Sequence, residues 1–304
     1  MPGNRTFTLN RGEQRRLSVN GDATDVQPMP GLSNTNKAAK TAADSMSVNY
    51  YRDTKTNANL YDVVQIKHEH IPIINYFRQA THSHKNFAYT IAGKNIGYIV
   101  GAGDKVPEAL QQMGYAVTLL SEKEVAGMDL AQFDAIISGV RAYNTAEWLN
   151  GQYSKLMKYV EDGGNLIVQY NTSSQIGPVR ANIGPYNFGI SRTRITDENA
   201  AVTFLKPEHP VLNFPNKLTA DDFKGWIQER SIYHADNWSD KYEPLLSMAD
   251  PGEAPQNGSL IVAKHGKGFF TYTGLVFFRE LPAGVPGAYR LLANLIALNK
   301  LKGS

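Results

Sequence analysis

The feature that most constrains this chain is an alternation of strand-like and helix-like segments over residues 93–172. Residues 94–100 form an apolar strand that runs into Gly101-Ala102-Gly103-Asp104. The next segment sets Val106, Ala109, Leu110 and Met113 at i, i+3, i+4 and i+7, which is one buried helical face. Gly114 then stands where a left-handed cap would end that helix. Residues 116–120 and 134–138 read as the second and third strands. Asn144 with Glu147 three positions on predicts a capping box. Leu149, Tyr153, Leu156 and Val160 predict a helical stripe closed by Gly163-Gly164, and 166–169 is a fourth strand. Strands and helices alternating at this spacing predict a parallel sheet covered on both faces, a three-layer α/β domain.

Composition agrees with a folded protein: 42% hydrophobic and 19% charged residues over 304 positions, enough for one large domain or two ordinary ones. The net charge of +3 is too small to suggest a nucleic-acid footprint. No run of about 18 apolar residues predicts a membrane span. The first residues have no apolar core and do not read as a signal peptide. Zero cysteines exclude disulfides, thiolate catalysis and cysteine zinc sites. Sixteen tyrosines would suit contact with a glycan or another polar ligand, and they would suit a sandwich core equally.

Around the alternating core the pattern changes. Residues 1–72 carry short alternating segments at 6–9, 16–19, 47–51 and 60–66, too few for a whole β-sandwich. The expectation is a partial, truncated sandwich over 1–72, a linker over 73–92 and the α/β domain over 93–300. Within the last third, 177–197 reads as a loop-rich insertion and 201–205 as a strand. His265-Gly266-Lys267-Gly268 reads as a hairpin turn between 259–263 and 269–273, and 286–298 as a closing helix.

Several motifs resemble a known arrangement. Gly163-Gly164-Asn165-Leu166-Ile167-Val168-Gln169-Tyr170-Asn171-Thr172 is similar to the strand and elbow of class I glutamine amidotransferase domains, whose elbow carries a catalytic cysteine. Here Tyr170 falls near the elbow. The same stretch, with Gly97-Tyr98-Ile99-Val100-Gly101-Ala102-Gly103-Asp104 and Gly139-Val140-Arg141-Ala142-Tyr143-Asn144, resembles the C-terminal half of large bacterial PIG-L (LmbE-like) deacetylases. So do Glu208-His209-Pro210-Val211-Leu212 and the run from Phe278-Arg279-Glu280 to Ala288-Tyr289-Arg290, and the likeness spans residues 60–300. The tail also resembles ThuA-like and sugar-hydrolase accessory domains. The resemblance implies a flavodoxin-like, amidotransferase-like α/β fold, a zinc deacetylase domain as upstream partner, N-acetylglucosaminyl substrates for that parent, and a periplasmic or secreted location. The deacetylase motif Ala-His-Pro-Asp-Asp is absent: the one His-Pro, His209-Pro210, is followed by Val211 and Leu212. The parent's activity is therefore not carried over to this chain.

In an open parallel sheet, ligands bind beyond the carboxyl ends of the strands. Asp104, Arg141, Asn144, Tyr170 and Asn171 belong to those ends, with Arg141 suited to clamp a carboxylate or phosphate. Equally, Asp104 and Asn144 suit helix capping. Gly101-Ala102-Gly103 lacks the third glycine of a dinucleotide fingerprint, Val106 standing in its place, and no cofactor is expected. His68 and His70 sit at i and i+2 of an expected strand without an evident third ligand, so no metal is expected. Trp226, Gln228, Glu229 and Arg230 form a second candidate cluster, and Arg279, Glu280 and Tyr289 a third. Each suits a sugar site or a salt-bridged wall. Asp221, Asp222 and Glu229 permit a paired-carboxylate glycosidase, while Thr219 with Asp222 looks like a helix start. The expected function is a non-catalytic accessory module, glycan-binding or assembling, of a PIG-L-type protein. The alternatives are a fragment of a carbohydrate-active hydrolase and an oligomerisation domain.

Overall fold

The computed structural model describes residues 45–50, 61–79, 81–173 and 182–301. The chain divides into two compact units, Met1–Asn86 and Phe87–Ser304. The segments at 6–9 and 16–19 lie outside the described residues.

In the first unit, β1 (Ser45–Tyr50) pairs antiparallel with β4 (Thr81–Asn86), and β2 (Tyr61–Ile66) pairs antiparallel with β3 (Ile74–Gln79). Two strands thus occupy the stretch expected to be a linker. Pro72 and the polar neighbours suggested a break, yet the alternation through Ile74, Tyr76 and Arg78 suffices for a ladder once β2 offers an edge. Tyr61, Val63 and Phe77 of this hairpin are exposed. His68 and His70 fall in a turn after β2 rather than on a strand, their rings stacked 5.8 Å apart.

The second unit is the predicted α/β domain. β5 (Asn95–Ile99), β6 (Ala116–Leu120), β7 (Ala135–Ser138) and β8 (Asn165–Gln169) belong to a seven-stranded sheet with the hairpin Leu260–His265 and Gly268–Thr273 and the short strand Glu243–Pro244. From one edge the order is Glu243–Pro244, Leu260–His265, Gly268–Thr273, β8, β7, β5, β6. The five strands from Gly268–Thr273 to β6 pair in parallel, and the two remaining pairings, of Leu260–His265 with Gly268–Thr273 and with Glu243–Pro244, are antiparallel. The parallel strands therefore lie in chain order 2-1-3-4-5, the doubly wound flavodoxin-like order.

Period-two alternation builds the two cores. Ile96, Tyr98, Ile137 and Ile167 face one side, packed with α1 (Val106–Met113) and the closing helix Pro286–Ile296. Ile99, Ile136, Leu166 and Val168 face the other, packed with α2 (Glu122–Gly127) and α4 (Tyr153–Glu161). Helix α1 ends where expected, at Gly114 with φ 102°. The capping box expected at Asn144 and Glu147 does not form. Instead α3 (Ala142–Thr145) is a single turn, a 3₁₀ turn covers Glu147–Asn150, and α4 starts only at Tyr153. The box at Thr219 and Asp222 does form, heading the turn Ala220–Phe223.

Candidate functional site

The strand order reverses between β5 and β7, and a ligand crevice is expected beyond their carboxyl ends. The protein fills that place itself. Ala102 N donates to Val140 O at 2.8 Å, and Gly139 N donates to Ile99 O at 2.8 Å. A side chain at position 101 would put its Cβ 2.1 Å from Val140 O, so only glycine allows this closure. The Asp104 carboxylate accepts from Tyr98 Oη at 2.7 Å, Val106 N at 3.0 Å and Val140 N at 3.2 Å. It is a tie between two strand ends, not a group free for a ligand.

Asn144 and Asn171 are taken up in the same way. Asn144 grips Thr172 by two hydrogen bonds: its Oδ1 accepts from Thr172 N at 2.8 Å and its Nδ2 donates to Thr172 O at 3.1 Å. Asn171, wholly buried, accepts from Tyr143 N at 2.9 Å and donates to Gln169 O at 3.0 Å. Of the five residues expected in the crevice, these two and Asp104 therefore shape the loops, because an unsatisfied backbone group in a buried turn costs about 1–3 kcal/mol.

What remains open lies one strand across. Gln169 ends β8, and the next residue, Tyr170, stacks on Tyr233 with centroids 5.7 Å apart and rings 10° from parallel. It also meets Phe278 at 5.5 Å. The Arg279 guanidinium lies 5.0 Å over the Phe278 ring. Arg141 N donates to Tyr170 O at 2.8 Å, fixing the turn after β7 against the end of β8. Burial raises the Tyr170 phenol above its ordinary pKa, while Arg141 and Arg279 pull the other way. The hydroxyl is thus held in its protonated form near pH 7.

The second expected cluster separates into core and surface. Trp226 belongs to the core, 2% exposed, stacked on Phe223 at 5.5 Å with Nε1 donating to Asp222 O at 3.0 Å. Arg230 is buried too: its Nε and Nη2 donate to Ala200 O at 3.2 and 2.9 Å, and its Nη1 donates to Phe223 O. Neither is placed to meet a ligand. Glu229, 4% exposed, takes Arg194 at 2.8 Å and Arg279 at 3.2 Å. Arg279 also donates to Gln228 Oε1. Through Phe278 and Arg279, this cluster joins Tyr170 and Arg141 in one aromatic and cationic shelf. Sequence reading missed Tyr233, Phe278 and Arg194 as members. Phe278 opens a quoted motif without having been singled out as a site residue, whereas nothing local marks Tyr233 or Arg194.

Backbone strain collects at the same place. Among the described residues, the non-glycines with positive φ are Arg141 (59°), Gln228 (66°), Tyr233 (52°) and Asn237 (45°), and the first three belong to the shelf. Such conformations cost on the order of 1–3 kcal/mol each and gather at ligand clamps and active sites.

The other candidate side chains are engaged within the protein. Asp222 is held by Arg290 at 2.8 Å and by Thr219 N, and Asp221 pairs with Lys224 at 2.6 Å, so no facing carboxylate pair exists there. Both oxygens of Glu280 accept from Ile227 N, at 3.2 and 3.1 Å, and burial pushes its pKa up to about 7. Ser231 Oγ lies 2.7 Å from His234 Nε2, but both are buried, and burial holds the imidazole down at about 4. Among the described residues no three His, Cys, Asp or Glu side chains gather as a metal site, and no helix is long and apolar enough to cross a membrane. A cavity of about 410 Å³ lies beside Tyr153, Thr172 and Tyr186, where Tyr153 Oη already donates to Gly184 O and Tyr186 Oη to Lys264 O. A second, of about 450 Å³, opens at the amino ends of β7 and β8, and its Lys155, Lys158 and Lys300 are bound to Met128 O, Asp162 and Asp134.

The sequence matches no protein-family model, and no curated protein is significantly similar. Similar solved structures include PurLQS from Thermotoga maritima (13% identity, TM-score 0.40, covering 69% of this chain and 100% of that one). A Thermoplasma acidophilum protein regarded as a component of GMP synthase gives 12% identity and a TM-score of 0.41 over 69% of this chain and 95% of that one. A β-galactosidase from Bacillus circulans gives 14% and 0.42 over 70% of this chain and 32% of that one. At these values the likeness says nothing about a site. The α/β fold is established by the sheet order itself.

Proposed function

We propose that this chain is a non-catalytic accessory module that binds a glycan on the shelf of Tyr170, Tyr233 and Phe278. The observation that carries the reading is the strained, partly exposed aromatic platform at the end of β8, flanked by Arg141 and Arg279. Aromatic faces suit the apolar face of a sugar ring, and guanidinium and amide groups suit its hydroxyls. The platform stands near the position of the amidotransferase elbow, and a chain with no cysteine has no thiolate to place there. The finer reading, an accessory part of a PIG-L-type deacetylase, rests on the sequence motifs around Gly97, Gly139, Gly163 and Phe278.

Calorimetric titration of the intact chain with neutral and acidic mono- and disaccharides tests the reading. Binding by the wild type, weakened by about 1–3 kcal/mol in Tyr170→Ala, is the expected result, the range for losing one stacking side chain. A sugar that binds Tyr170→Ala as tightly as the wild type would move the site elsewhere.

A further inference from the structure

The shelf carries one cation that the protein leaves unpaired among the described residues. Arg194 and Arg279 share the carboxylate of Glu229. Arg141 is exposed, and its side chain has no partner among the described residues. Arg279 is held through its Nη atoms by Glu229 and Gln228, and its buried Nε has no partner among the described residues. Arg141 adjoins the platform through its N–H on Tyr170 O, and Arg279 through its guanidinium over Phe278, which meets Tyr170.

The backbone at position 141 points the same way. Its φ of 59° is one that glycine or asparagine adopts with little cost. A long cationic side chain sits there instead, while the backbone of Arg141 ties the turn after β7 to the end of β8 through its N–H on Tyr170 O.

We infer that the ligand of the shelf is an acidic sugar, whose ring lies on the aromatic platform and whose carboxylate is taken by Arg141, beside Arg279. The inference rests on the shelf being a glycan site. Guanidinium and carboxylate match in planar geometry, and their charge-assisted hydrogen bonds are roughly twice as strong as neutral ones. A neutral sugar leaves Arg141 with water, and a small inorganic anion leaves the aromatic faces uncovered.

The test titrates the intact chain with glucuronate, glucose and inorganic phosphate at low and moderate salt. Glucuronate is expected to bind at least about tenfold more tightly than either of the others, and to weaken with salt. Arg141→Asn removes the charge while relaxing the left-handed backbone, so it is expected to fold at least as stably as wild type and to lose that tenfold preference. Arg279→Lys, which keeps the charge but not the planar fork, is expected to lose part of it. Equal binding of glucose and glucuronate would overturn the charge inference and leave the glycan shelf standing. Phosphate binding as tightly as glucuronate, unchanged in Tyr170→Ala, would overturn both. So would the absence of binding by either sugar. Glucuronate binding unchanged in Arg141→Asn would overturn the assignment of its carboxylate.

Discussion

Asp104 and Arg141 show why residue type alone did not separate framework from ligand groups. Both stand at carboxyl ends of parallel strands, and both are polar. Asp104 is short, and its two oxygens meet Tyr98 Oη and the amides of Val106 and Val140 within 3.2 Å. Arg141 is long, and its backbone, not its side chain, ties the loop to Tyr170. Asp104→Ala leaves the buried Tyr98 phenol and the Val140 amide without that acceptor. It is expected to destabilise the domain by about 2–3 kcal/mol in urea unfolding, within the range for stranding buried donors. Sugar binding to the folded protein should be unchanged. A ligand lost with Asp104→Ala while stability stays at the wild-type value would return the site to the crevice between β5 and β7.

At the scale of elements, legibility follows how local the deciding interaction is. The helix α1 was readable because its apolar face and its Gly114 cap lie within nine residues. β5 to β8 were readable because each is a short apolar run bounded by turns. The start of α4 was not, because the Asn144 side chain is claimed by Thr172, 28 residues away. The shelf was only half readable for the same reason: Tyr233 reaches it from 63 positions beyond Tyr170, by a left-handed turn that its sequence does not advertise. The hairpin Leu260–His265 and Gly268–Thr273 was foreseen from its turn, but its docking was not. A Cβ on Gly268 would lie 2.1 Å from Gly164 O and 2.2 Å from Val160 O, both backbone atoms that cannot swing aside. Gly268→Ala is expected to cost at least about 3 kcal/mol, at the upper end for overpacking, as read from the unfolding midpoint. A wild-type midpoint would mean that the hairpin does not dock on the Gly163-Gly164 turn.

For the whole molecule, two buried titrating groups set opposing pH responses. Burial raises Glu280 from the ordinary 4.5 to about 7. The folded chain therefore keeps a proton that the unfolded chain has released. Its contribution is full below about 4.5 and is lost as pH rises through 7. Burial lowers His234 from 6.5 to about 4, so its contribution is full above 6.5 and is lost as pH falls through 4. Each is worth roughly 3 kcal/mol across its window, and the two largely offset between pH 5 and 7. His209, lowered by burial, adds to the loss on acidification. Glu280→Gln is expected to lose several degrees of melting temperature, relative to its own value at pH 7, when taken to pH 5. His234→Gln is expected to gain on the same change. Two variants that track the wild-type profile would show that neither group is buried as described.

The central claim is that Tyr170, Tyr233, Phe278 and the arginines beside them are one ligand site, although the sequence scatters them over 139 positions from Arg141 to Arg279. The most direct measurement is the amide spectrum of the isotopically labelled intact chain during titration with glucuronate. The shifts should concentrate at Arg141, Tyr170, Asn171, Gln228, Tyr233 and Arg279, with Asp104 and Tyr186 still. Shifts gathered around Tyr153 and Tyr186, or none at any sugar concentration, would contradict it.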